Sequence, residues 1–143
     1  MGKHVSFAVS AQSTAEADTI WKLLADGATW PSWSPIGRFV LEREGTEGGE
    51  SVGAIRSFRT GMANSREELL ELSPGKRLRY SALSGMPFTN HEASVDLEPT
   101  STGTTITWHE DFDAKTGHAW YLKPFLTNFV TRCANGLATH AAR

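Results

Sequence analysis

The chain has 143 residues, 39% apolar and 21% charged, with a formal net charge of -2 and one cysteine. That length sets the expectation of a single domain over 1–143, large enough for a true core but not for two. A pI near 6.2 and a mean hydropathy of -0.33 give no support to nucleic-acid binding or membrane insertion, and the lone Cys133 excludes an internal disulfide or a multi-thiolate metal site.

No bilayer-length apolar run or secretory leader pattern is present, so a soluble, cytoplasmic protein is the default expectation. Val5, Phe7 and Val9 alternate with Ser6, Ala8 and Ser10, the period of a strand covered on one face. Ser13-Thr14-Ala15-Glu16 reads as a capping box opening a helix whose buried stripe is Ala17, Ile20, Trp21 and Leu24, with Gly27 as its stop. Trp30-Pro31-Ser32-Trp33-Ser34-Pro35 is expected to form a short second helix that plugs one end of the core. Six strands then follow, over 38–44, 52–60, 65–72, 76–84, 90–98 and 104–113, separated by turn-forming segments too short for parallel crossovers. The acidic, glycine-rich 42–50 segment reads as a mobile hairpin tip.

The last stretch, 116–143, is amphipathic. Tyr121, Leu122, Phe125, Leu126, Phe129, Val130, Cys133 and Leu137 share one side of a helical wheel, with His118 and His140 also on that side. Pro124 requires the first turn or a kink. A helix of this length needs an equally long apolar partner, and a curved sheet supplies one. The fold class expected is therefore α+β: a seven-stranded antiparallel sheet wrapped around a long C-terminal helix, with two short helices after the first strand. Cys133 falls on the apolar stripe as a small core residue.

This order, with Trp30-Pro31-Ser32-Trp33-Ser34-Pro35, Val52-Gly53-Ala54-Ile55-Arg56, Leu72-Ser73-Pro74-Gly75-Lys76-Arg77-Leu78-Arg79-Tyr80, Ser84-Gly85-Met86-Pro87, 103–108 and Gly136-Leu137-Ala138-Thr139-His140-Ala141, resembles the START-like (SRPBCC) superfamily in its polyketide cyclase/dehydrase branch. The resemblance covers nearly the whole chain. It implies the helix-grip fold and a deep, mostly apolar cavity between sheet and last helix, used across the superfamily for lipids, sterols, hormones, polyketides or quinones. It also implies that the 61–63 and 85–88 turns sit where loops close over the hormone in plant abscisic-acid receptors.

Strand alternation selects the polar groups that face such a cavity. His91 shares a side with Ala93, Val95 and Leu97. Glu110 shares one with Ile106, Trp108 and Phe112, which leaves His109 and Asp111 outside and disposes of His109-Glu110-Asp111 as a chelating set. Tyr80 and Arg56 are the other inward candidates. Either Glu67 or Glu68 faces in, but Leu69, Leu70 and Leu72 do not alternate cleanly enough to say which. The expected ligand-binding set is Arg56, Tyr80, Met86, His91, Trp108, Glu110, Phe112, Tyr121, Phe125 and Phe129, with no metal and no cofactor. The favoured function is binding of a small hydrophobic or aromatic molecule. The alternative is an aromatase/cyclase- or dehydrase-type enzyme in which His91 is the base, Glu110 orients it, and Arg56 or Tyr80 steadies an enolate oxygen. Homodimer formation through exposed aromatic residues stays open.

Overall fold

The computed structural model describes residues 2–143. In chain order the elements are β1 (Lys3–Ser13), α1 (Ala17–Ala25), a 3-10 turn (Gly27–Thr29), α2 (Trp30–Trp33), β2 (Arg38–Arg43), β3 (Ile55–Thr60), β4 (Ala63–Ser73), β5 (Arg77–Ser84), β6 (Phe88–Thr100), β7 (Gly103–Ala114) and α3 (Ala119–Ala141). The strands form one antiparallel sheet in the order β1-β7-β6-β5-β4-β3-β2. β1 leaves the meander, crossing over to pair with β7, and α3 lies across these two strands. No helix among the described residues is long and apolar enough to cross a membrane.

Alternation holds most strictly on β6 and β7. Ala93, Val95 and Leu97 on one, and Ile106 and Trp108 on the other, form the buried face against which Val130, Cys133, Ala134 and Leu137 of α3 pack, while Phe112 of β7 meets Leu122 and Leu126 nearer the start of α3. His109 is turned outward, to Asp96 at 3.3 Å. On β4 the pairing register shifts between Arg66 and Glu67 and again between Leu69 and Glu71. These irregularities are why the leucines there do not alternate.

The capping box does not form. Ser13 is still in β1, where its hydroxyl donates to the Ala138 carbonyl of α3 at 2.7 Å and accepts the Ala15 N–H. The helix begins after Glu16, which makes no side-chain cap. Pro124 is the sixth residue of α3 rather than part of its first turn. In the turn that precedes it Leu122 is buried against Val5 and Phe112, whereas Trp120 is 80% exposed. The 42–50 segment is anchored rather than free: Glu50 accepts the Gly27 N–H at 2.9 Å and pairs with Arg56 at 2.6 Å.

Gly136 sets how closely α3 approaches α2. A Cβ there would lie 1.8 Å from the Trp33 carbonyl oxygen. Gly136→Ala, which in a free helix would gain about 1 kcal/mol, is expected instead to destabilise by about 1–3 kcal/mol because backbone must move. A urea melt checks this, and a gain in stability would overturn it.

Candidate functional site

Between the inner faces of β3 to β7 and the middle of α3 lies a cavity of about 170 Å³. Its apolar walls come from Trp30, Phe58, Phe88, Trp108, Phe129 and Val130, and Met86 and Phe125 lie toward the rim. Trp30 stacks on Phe58 with centroids 4.8 Å apart and meets Trp108 edge-on at 5.8 Å, so the indoles brace one another. At the rim, Gly85 (φ +91°) turns β5 toward β6 so closely that a Cβ would sit 1.8 Å from the Asn64 carbonyl oxygen. The β3–β4 and β5–β6 turns are thus brought side by side, as their sequence order suggests.

The polar side chains gather on the sheet side. Glu110 is 4% exposed, and its oxygens face His91 Nε2 at 2.6 Å and, in a longer contact, the Tyr80 hydroxyl at 3.4 Å. The Tyr80 oxygen accepts the Trp108 indole N–H at 3.1 Å. Burial, reinforced by the charges of Glu110 and Glu67, pushes the Tyr80 phenol well above its usual value.

His91 is held at both ring nitrogens. Nδ1 accepts the Ala82 N–H at 2.8 Å. A backbone donor needs a lone pair at that atom, so the ring proton sits on Nε2 and is directed at Glu110. Burial opposes the imidazolium, but the hydrogen bond and charge of Glu110 outweigh it and raise the pKa. Taking up a second proton still requires the Ala82 bond to break. His91 is inward as alternation expects, and it orients Glu110 with no free nitrogen presented to the cavity, an arrangement unlike the base role given to it in the enzyme alternative.

The acid that faces the cavity is Glu67. It pairs across the sheet with Arg56 and Ala82, and Leu69, two residues on, is on the same buried side. Oε2 accepts the Ser65 hydroxyl at 3.2 Å, and among the described residues no protein donor is bonded to Oε1. Burial raises its pKa to about 7; Glu110 adds to the rise, whereas His91, Ser65 and Arg56 oppose it. The folded state therefore holds this proton more tightly than the unfolded chain between the ordinary value of 4.5 and about 7. Its contribution to stability is lost as pH rises through that window and is constant above it. His91, also raised, has the same sign, so a variant isolates the Glu67 part. Glu67→Gln is expected to gain about 1–3 kcal/mol at about pH 8 and little at about pH 4.5. Urea midpoints at the two pH values check it, and equal gains at both would sink the assignment.

Of the other expected site residues, Tyr80, Met86, Trp108, Phe125 and Phe129 line the cavity with His91 and Glu110. Arg56 does not. It is inward and 1% exposed, but its guanidinium is turned to the end of α1, donating to the carbonyls of Leu24 and Ala25 at 3.0 and 2.7 Å and pairing with Glu50. Phe112 lies behind Phe88, in a separate cluster with Val5, Leu122 and Leu126. Tyr121 is 37% exposed and bonded to His118 at 2.7 Å, away from the cavity. Cys133 reaches the cavity wall, where burial pushes its thiol up and leaves it inert.

A curved antiparallel sheet gripping a terminal helix, with a lined cavity between them, is the helix-grip fold of the START-like superfamily. Residues 4–142 match the model of polyketide cyclase / dehydrase and lipid transport proteins, and the chain belongs to that family. Solved structures similar in fold include a START superfamily protein from Mycobacterium smegmatis (16% identity, 96% of each chain covered, TM-score 0.78). A norcoclaurine synthase point mutant from Thalictrum, in complex with a transition-state analogue, is 13% identical over 99% of this chain and 96% of that one (TM-score 0.76). The di-domain ARO/CYC StfQ of the steffimycin biosynthetic pathway is 18% identical over 96% of this chain and 50% of its own length (TM-score 0.78). No curated protein matches the sequence significantly.

Proposed function

We propose that this protein binds a small, largely apolar, ring-containing molecule in the cavity between the sheet and α3. The observation that carries the reading is the lining itself: aromatic walls closing on a few convergent polar groups, the usual composition of a small-molecule site. A comparable engineered cavity of about 150 Å³ accepts benzene, so a volume of about 170 Å³ suits a single ring with a short substituent. A longer lipid or a folded polyketide would have to extend past Met86 and Phe125 at the rim. Native mass spectrometry of protein taken gently from cells, followed by solvent extraction, tests the reading. A stoichiometric apolar passenger supports it. Failure to retain a passenger, together with failure of small aromatic compounds to change the fluorescence of Trp30 and Trp108, would overturn it.

A second reading, a cyclase- or dehydrase-type enzyme, is favoured by one feature, the pKa of about 7 at Glu67. A general acid or base works best near the operating pH, and of the two lining acids Glu67 is the one whose Oε1 has no protein partner among the described residues. In this reading Glu67 moves the proton, Tyr80 donates to a developing enolate oxygen, and the His91–Glu110 pair fixes Tyr80. Glu67→Gln would then lower turnover of a polyketide-like substrate by about 10²–10⁴-fold with binding retained. Full turnover by that variant would exclude Glu67 as the acid-base group.

A further inference from the structure

The charge balance of the cavity narrows the ligand class further, an inference that rests on the binding reading above. Among its described lining residues are Glu67 and Glu110 but no lysine or arginine. The nearest buried cation, Arg56, is matched by Glu50 at 2.6 Å and spent on the α1 carbonyls. His91 directs its Nε2–H at Glu110 and accepts the Ala82 N–H at Nδ1, so neither ring nitrogen offers a donor to the cavity. Both Glu110 oxygens face protein groups, whereas Glu67 keeps Oε1 for a donor from the cavity. The remaining walls are Trp30, Tyr80, Phe88, Trp108 and Phe129, whose ring faces attract cations. A carboxylate or phosphate ligand would meet like charge at low dielectric with no lysine or arginine to neutralise it.

We propose that the cavity selects a small aromatic amine in its protonated form, with the ammonium on Glu67 Oε1 and the ring between Trp108 and Phe129, and that it rejects carboxylate-bearing molecules of the same shape.

The titratable and hydrogen-bonding groups coupled to Glu67 are Arg56 on β3, Ser65 on its own strand, Tyr80 on β5, His91 on β6, Glu110 on β7 and Cys133 on α3. Tyr80 and Cys133 are pushed up by burial and stay neutral near pH 7, and Arg56 keeps its partner Glu50. Glu67 and His91 are therefore the groups whose charge changes in that range. A bound ammonium favours the Glu67 carboxylate, so the amine binds with release of a proton below about pH 7 and more tightly as pH rises. An alkyl ammonium, like that of lysine at about 10.4, stays charged throughout.

The test compares 2-phenylethylamine, 2-phenylethanol and 3-phenylpropionate, similar in size, by calorimetric or fluorescence titration at about pH 5.5 and about pH 8.5. The expected result at the higher pH is amine affinity at least about 10-fold above the alcohol, one pKa unit of differential interaction, with no detectable binding of the carboxylate. The amine should lose most of that advantage at the lower pH, and the alcohol should change little. Glu67→Gln should abolish both the preference and its pH dependence while alcohol binding persists. Alcohol binding without an amine preference, or tight binding of the carboxylate, would overturn the charge selection and leave the cavity reading intact. A pH dependence that survives in Glu67→Gln would move it to His91 and overturn the role given to Glu67. If none of the three compounds binds, the amine proposal falls, and the passenger extraction decides the binding reading separately.

Discussion

Arg56→Ala is expected to cost about 3–5 kcal/mol of stability, the loss typical of removing one member of a buried ion pair. Arg56 is 1% exposed and Glu50 18%. The guanidinium joins the end of α1, through the carbonyls of Leu24 and Ala25, to the 42–50 segment and to the face of Trp30, 5.6 Å from its ring centroid. Burial drives the pKa of Arg56 down, and the charge of Glu50 opposes the fall, so the pair balances a large desolvation cost against a close contact. Alanine removes the compensation and takes the guanidinium donor from both carbonyls, leaving Leu24 O only the Trp30 indole N–H at 3.1 Å, at a helix end where a cation is also favoured by the dipole. Arg56→Met with Glu50→Gln should recover much of the loss, since an apolar or neutral replacement of the whole pair avoids the stranded charge. Urea unfolding with an unchanged m-value is the measurement. A loss below about 1 kcal/mol for Arg56→Ala would show that the pair is not structural. Because Arg56 is outside the cavity, ligand affinity should fall only as far as Trp30 shifts.

Trp108→Ala is the second large effect, about 3–5 kcal/mol for truncating a fully buried indole. Trp108 is 1% exposed, donates to Tyr80 at 3.1 Å and meets Trp30 and Trp33 at centroid distances of 5.8 and 6.4 Å. Its removal merges the space of the side chain with the cavity and strips Tyr80 of its donor. Two consequences are expected together: weaker binding of a single-ring ligand, and new acceptance of a two-ring one that the native cavity excludes. Trp108→Phe should keep most of the stability while losing the Tyr80 contact. Thermal melts paired with titrations of one- and two-ring compounds check this. Unchanged affinity for single-ring compounds in Trp108→Ala would remove Trp108 from the binding wall.

Local periodicity was enough to place part of the site. Period-2 alternation put His91 and Glu110 on the inner faces of β6 and β7, and the helical stripe identified Phe125, Phe129 and Cys133 on α3. The rest depended on how the elements meet in space, for reasons that can be named. Glu67 was separated from Glu68 only by the register shifts flanking it on β4, because a bulge resets which side chains face in. Arg56 and Phe112 are on the inner faces, as alternation says, but alternation gives the side of a sheet and not the position along it. The end of α1 captures one, and the start of α3 covers the other. Tyr121 shares the apolar side of the wheel yet lies in the first turn of α3, where little of the sheet remains to cover it. The Trp30, Phe58 and Phe88 walls come from three elements far apart in sequence, so no local pattern joins them. His91 was legible as an inward side chain, but its two ring hydrogen bonds were not. Which nitrogen it offers was set by the Ala82 N–H and Glu110, and a hydrogen-bond partner across strands is a property of register, which the chain acquires only when the sheet closes.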